Sequence, residues 1–158
     1  MSKKGAKPGK NRRKARELAL KGLYQWRLSG ADIPLIEATL REDETFGEAD
    51  ETLLKNLLEG VVKSVEILGN CLAPCLDRGV ADLSPIEYAV LLIGAYELTQ
   101  KPDVPYRVVI NEAVDLAKHY GGTDGHKFVN GVLDKLALAV RPDEVRLRSQ
   151  QVSGPRRN

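Results

Sequence analysis

The stretch SPIEYAVLLIGAYELT, residues 84–99, decides the fold because it holds the clearest helix start in the chain and its most apolar helix. Ser84 can cap the first turn, Pro85 fits the first helical position, and Glu87 can reach back to complete a capping box. The helix that follows is apolar on nearly all sides, which is typical of a helix at the centre of a protein. We therefore predict a central helix from Ser84 to about Thr99.

Helical periodicity extends in both directions from this segment. Apolar residues recur three and four positions apart in five other segments, over residues 12–29, 34–41, 53–68, 103–120 and 126–140. A shorter segment broken by Pro74 and Gly79 indicates one more short helix, and no stretch alternates with a period of two. The pattern predicts an all-α bundle of six or seven helices.

The chain has 158 residues, which is the length of one domain. Residues 1–16 contain eight Lys or Arg and no acid, residues 17–140 contain 11 basic and 20 acidic residues, and residues 141–158 contain five basic and two acidic residues. We predict a basic disordered tail over 1–11, a helical domain over 12–140 and a basic flexible tail over 141–158. A polyanion would meet the basic ends first.

Several protein classes are disfavoured by composition. No apolar run approaches the ~20 residues that cross a bilayer, and the polar, basic N-terminus does not resemble a secretory signal, so we expect a cytoplasmic protein with no membrane partner. Cys71 and Cys75 lack the spacing of a zinc or redox hairpin, and His119 and His126 have no evident catalytic or metal-binding partner. We expect no metal, no cofactor and no enzymatic activity.

Two segments carry candidate nucleic-acid contacts. Arg12, Arg13, Lys14 and Arg16 fall on the first turns of a helix, where guanidinium groups can bind phosphates and stack on bases; the alternative is a solvated basic tail. The second segment is GGTDGHKF, residues 121–128, which opens the last helix but lacks the spacing of a phosphate-binding P-loop. Its final Lys-Phe pair combines a phosphate contact with a stacking face, unless the phenylalanine is a plain core residue.

Asn111 and Asn130 interrupt apolar helices, and Gly131 lies within the last one. We interpret Gly131 as a site of close helix packing, with both asparagines hydrogen-bonded to neighbouring backbone.

Seven blocks along the chain resemble the NusB family of bacterial transcription antitermination factors. They are RRKARELALKGLY (12–24), LSPIE (83–87), YEL (96–98), DVPY (103–106), INEAV (110–114), LAK (116–118) and KFVNGVLD (127–134). The last of them, preceded by Ile-Asn-Glu-Ala, is the most specific, and the resemblance covers about residues 12–140 in order and spacing.

This resemblance implies two packed helical sub-bundles that divide near Val80. It implies binding to the box A element of ribosomal RNA leader transcripts, together with the ribosomal protein NusE, within an RNA polymerase complex that contains other Nus factors. By position, the RNA-contacting residues are Arg12, Arg13, Arg16, Asp124, Lys127 and Phe128, and those nearer NusE are Tyr24 and Glu87. Family members occur as monomers and as homodimers, and the sequence favours neither.

Two other interpretations compete with this one. A helical protein–protein adaptor would use the same fold with basic ends of no specific role. An RNA-binding domain related to that of ribosomal RNA cytosine methyltransferases would need a further catalytic domain, for which 158 residues leave no room.

Overall fold

The computed structural model describes residues 8–122 and 124–153, which form α-helices joined by short turns and contain no strand. The helices are α1 (Pro8–Ser29), α2 (Ile33–Arg41), α3 (Glu51–Lys63), α4 (Val65–Leu72), α5 (Pro85–Gln100), α6 (Tyr106–Tyr120), α7 (Gly125–Val140) and α8 (Pro142–Ser153). The all-α prediction is confirmed, with one or two more helices than expected. Over the described ranges, every helix is too short or too polar to cross a membrane.

Helix α5 is the central element. It packs against α1, α3, α4, α6 and α7, and its residues from Tyr88 to Ala95 are all buried. Ser84 caps it as predicted, since the Ser84 hydroxyl accepts a hydrogen bond from the Glu87 backbone N–H at 3.0 Å. Helix α3 approaches α5 so closely that a Cβ on Gly60 would lie 2.4 Å from the Tyr96 ring. The apolar sequence thus forms the shared core of both halves of the bundle.

The predicted helix over 53–68 is two helices, because the backbone leaves the helical region at Ser64 (φ −106°, ψ 13°). No proline or glycine lies at the break, so no local sequence signal indicates it. The segment from 73 to 82 contains two single 3₁₀ turns, Ala73–Cys75 and Val80–Asp82, in place of the predicted short helix.

The segment predicted to be a flexible tail, 141–158, is helical from Pro142 to Ser153 and is anchored at its start. Arg141 is buried, and its guanidinium donates to the backbone carbonyls of Glu97, Leu98, Lys101 and Val104 at 2.6–3.1 Å. Three of those carbonyls lie at the C-terminal end of α5, where a helix lacks its own donors. A charged side chain therefore caps the central helix from outside the predicted domain.

Glu144 completes this anchor. Its Oε1 accepts from Arg141 Nη1 at 3.0 Å, and its Oε2 accepts from the Tyr106 backbone N–H, at the start of α6, at 2.8 Å. The connection between α5 and α6 is thus held by α8.

The interpretation of Gly131 as a close-packing site is wrong. Gly131, Asn111 and Asn130 are all exposed, and a Cβ on Gly131 would meet no atom within 4 Å. Asn111 instead faces Arg107 on the outer surface of α6, with Nη2 3.5 Å from its Oδ1.

Replacing Ser84 by Ala removes the cap of α5 and is expected to lower the free energy of unfolding by about 1 kcal/mol. Ser64→Ala is the matched control, since Ser64 precedes α4 without a capping hydrogen bond from its side chain. Denaturant unfolding of both variants tests this. Equal stabilities of Ser84→Ala and the wild type would contradict it.

Arg141→Ala removes the hydrogen-bond donor of the C-terminal carbonyls of α5. We expect the free energy of unfolding to fall by about 3 kcal/mol, because hydrogen bonds to charged groups are strong and buried carbonyls are costly to leave unpaired. Arg146→Ala is the control, because Arg146 pairs with Asp143 on the surface. A surface pair contributes less than about 1 kcal/mol. Indistinguishable melting curves for the two variants would show that the Arg141 contacts do not stabilise the core.

Candidate nucleic-acid interface

The structure places the six predicted RNA-contacting residues in two clusters. Arg12, Arg13 and Arg16 form the α1 cluster, on the N-terminal turns of α1, while residues 124, 127 and 128 form the α7 cluster, where α7 begins. Helix α1 is antiparallel to α5, since Arg16 meets Glu97 and Arg27 stacks on Tyr88 at 4.6 Å.

Arg16 lies inside the protein. Its Nε and Nη2 donate to Oε1 and Oε2 of Glu97, both at 2.9 Å, and the two side chains are only 5% and 1% exposed. Burial lowers the pKa of the Arg16 guanidinium, but the hydrogen bonds and charge of Glu97, helped by Glu112 at 3.9 Å, outweigh burial and raise it. The arrangement makes Arg16 a bridge between α1 and α5, with its donors directed away from solvent.

Arg13 attaches α1 to α6 on the surface. Its Nη2 lies 3.0 Å from carboxylate oxygens of both Glu112 and Asp115, and its Nε lies 3.3 Å from Glu112. The hydrogen bond to Glu112 is the main reason that the Arg13 pKa is raised. A phosphate at this position has to share Arg13 with these two acids.

Arg12 is the exposed cation of the α1 cluster that has no ion-pair partner among the described residues. It borders an open cleft of about 170 Å³ between the starts of α1 and α3 and the end of α5, with Asn56 and Lys101 on the other walls. Lys14, by contrast, pairs with Glu17 at 2.8 Å. Among the described cations at this end of α1, Arg12 is therefore the one whose charge is most available to a polyanion.

The α7 cluster is more open. Lys127 and Asp124 are 73% and 77% exposed, and 3.6 Å separates Lys127 Nζ from Asp124 Oδ1. Asp124 directly precedes α7, where a negative charge complements the helix dipole. Such an exposed pair is held weakly, so Lys127 is free to contact a phosphate.

Phe128 is half-buried and packs against the core, and the guanidinium of Arg78 lies over its ring, 4.2 Å from the centroid. Sequence analysis did not nominate Arg78. It is a single arginine in the turn between α4 and α5, with no motif around it, and only the folded chain brings it to Phe128.

Of the two residues assigned to the NusE side, Glu87 lies next to the α7 cluster. Its Oε2 would be 2.8 Å from a Cβ on Gly125, so the glycine lets the starts of α5 and α7 meet. Tyr24 is 37% exposed on α1. The Arg27–Tyr88 contact puts that part of α1 beside the start of α5, so Tyr24 and Glu87 share one end of the bundle.

The two clusters are separated along α5. Glu87, beside the α7 cluster, and Glu97, beside the α1 cluster, are ten residues apart on this helix, which corresponds to about 15 Å. A single-stranded nucleic acid of several nucleotides can bridge that distance.

The described residues contain no group of His, Cys, Asp and Glu side chains that could hold a metal ion. Cys71 and Cys75 are free thiols, and burial raises the pKa of Cys75.

Arg16→Met leaves Glu97 buried without its partner, and we expect a loss of about 3 kcal/mol or more in the free energy of unfolding. Replacing both charges, in Arg16→Met/Glu97→Leu, should recover most of that loss, because a buried ion pair can be exchanged for apolar residues of similar size. Chemical denaturation of the three proteins gives the comparison. If the double variant is no more stable than Arg16→Met, the unpaired charge of Glu97 is not the cause of the stability loss in Arg16→Met.

Comparison with known proteins identifies the family of this chain. A model of the NusB family matches residues 13–138. The transcription antitermination protein NusB of Thiobacillus denitrificans is 58% identical over 135 residues, which cover 85% of this chain and 93% of that protein. The protein of the same name from Paraburkholderia phymatum is 54% identical over 140 residues, which cover 89% and 97% of the two chains.

Two solved structures share the fold. T. maritima NusB superposes with a TM-score of 0.73 at 27% identity, covering 85% of this chain and 96% of that one. A crystal structure of the antitermination factors NusB and NusE in complex with dsRNA gives a TM-score of 0.71 at 26% identity, covering 80% and 96%. The relatives are named as antitermination proteins, in agreement with the prediction that the chain is not an enzyme. This chain belongs to the NusB family.

Proposed function

We propose that this chain is a transcription antitermination factor that binds box A RNA of ribosomal RNA leader transcripts together with NusE. In this role it joins an RNA polymerase complex with other Nus factors and suppresses premature termination. The proposal is supported by the name of the relatives and by the solved complex of NusB and NusE with dsRNA. The observation that carries it is the position of the α1 and α7 clusters at opposite ends of α5, each with an exposed cation.

The residues of the α1 cluster have separate roles in this proposal. Arg12 binds phosphate directly, because it is exposed and forms no ion pair with any described residue. Arg13 binds phosphate by exchanging part of its contact with Glu112 and Asp115. Arg16 holds the first turns of α1 against α5 and so fixes the direction in which Arg12 projects.

At the other end of α5, Lys127 contacts phosphate and Asp124 orients its ammonium group. Phe128 belongs to the same RNA site, where its aromatic ring supports the stacking of a base. Tyr24 and Glu87 are assigned to the NusE contact, beside the α7 cluster, so that RNA bound there also lies close to NusE.

A filter-binding titration with box A RNA and a scrambled RNA, with and without NusE, tests the proposal. We expect preference for box A and tighter binding with NusE. If about four phosphates are neutralised, the logarithm of the binding constant falls against the logarithm of salt concentration with a slope near −3. Equal affinity for both RNAs would instead favour the protein–protein adaptor.

Arg12→Ala should weaken binding and reduce that slope by about 0.7, which is the contribution of one phosphate contact on a single strand. Lys55→Ala is the matched control, because Lys55 is an exposed cation on α3 whose nearest acid, Glu59, is 3.8 Å away. The apolar pair Arg16→Met/Glu97→Leu should retain most of the affinity, since it keeps α1 packed on α5. An unchanged slope in Arg12→Ala would remove Arg12 from the interface.

A further inference from the structure

Arg78 occupies the place where a nucleotide base would stack on Phe128. The ring of Phe128 packs against the core, and the Arg78 guanidinium lies over it at 4.2 Å. A base that approaches the face covered by Arg78 must either displace the guanidinium or stack on the guanidinium instead. The Arg78 side chain is 44% exposed, so its guanidinium is accessible from solvent.

The charges around Phe128 favour keeping Arg78 in place. Asp77, Asp82 and Glu87 all lie close enough to Arg78 to raise its pKa, mainly through the hydrogen bond from Arg78 Nε to Asp77 Oδ1 at 2.9 Å. Asp124 adds a fourth acid at the start of α7. If Arg78 moved away, an incoming phosphate would face these acids with Lys127 as the remaining nearby cation of the α7 cluster.

From this geometry we infer that Arg78 is an RNA-contacting residue, on whose guanidinium a base stacks while Phe128 supports it from below. Guanidinium planes stack on unpaired RNA bases as aromatic rings do, and their positive charge adds attraction for the backbone. Phe128 is then a positioning residue that holds Arg78 through a cation–π contact. The inference rests on the proposed function, because it assigns a further residue to the same RNA site.

The test measures box A RNA affinity for the full chain with NusE and five substitutions: Arg78→Ala, Arg78→Lys, Phe128→Ala, Arg78→Ala/Phe128→Ala and Arg41→Ala. The last is the matched control, since Arg41 also stacks on a phenylalanine, Phe46 at 5.0 Å, and also pairs with an acid, Glu51. Circular dichroism melts report whether each variant is folded at the assay temperature.

We expect Arg78→Ala to weaken binding about tenfold, in the range of one lost stacking contact. Arg78→Lys should recover only part of the loss, because an ammonium lacks the planar face. The double variant should bind no more weakly than Arg78→Ala alone, since both residues act through one stack. Arg41→Ala should bind as the wild type does.

Four results would overturn the inference: unchanged affinity in Arg78→Ala, tighter binding in Arg78→Ala, full recovery in Arg78→Lys, or additive losses in the double variant. Tighter binding would mean that Arg78 competes with the base for the ring. A wild-type chain with no preference for box A would contradict the proposed function itself, which distinguishes the two failures.

Discussion

The buried ion pair between Arg16 and Glu97 is the interaction on which the arrangement of the site depends. Helix α1 carries cations that we propose bind RNA, but its N-terminal turns have little apolar surface of their own, and the first acid of the chain is Glu17. A pair with side chains 5% and 1% exposed, and with both carboxylate oxygens bonded, fixes these turns on the central helix. The buried Arg16–Glu97 pair thus determines the direction in which the exposed Arg12 side chain projects from α1.

The central helix also sets the spacing of the interface. Its N-terminal end contacts the start of α7 through Glu87 and Gly125, and its C-terminal end contacts Arg16 of α1 and Arg141, the residue between α7 and α8. Because a helix has a fixed rise per residue, the two clusters are held at a set distance along it. Acidic side chains of the helical domain hold the arginines in place. Glu97 and Glu112 bind Arg16 and Arg13, and the acids near Arg78 keep its guanidinium over Phe128.

Sequence patterns predicted the helical class and the cap at Ser84, because each depends on local spacing and residue chemistry. They also nominated Arg12 and Lys127 as RNA contacts, and both residues are exposed. They did not predict what depends on long-range contacts. The position of Arg16 on α1 does not reveal that a glutamate on another helix buries it. Arg78 and Arg141 belong to no local motif, and their partners are 50 and about 40 residues away in sequence. The break at Ser64 is likewise invisible without tertiary packing.

The pairing of Arg16 with Glu97 has a consequence for the way such a sequence can diverge. A single substitution at either position leaves the other charge buried without a partner, whereas replacement of both residues by apolar ones leaves no buried charge. Substitutions at residues 16 and 97 should therefore accumulate together or not at all. No such coupling restricts Arg12, which has no ion-pair partner among the described residues and can be replaced by another cation at little cost to folding. Selection for stability thus acts on Arg16 through Glu97, whereas selection for ligand binding acts on Arg12, four residues earlier on the same helix.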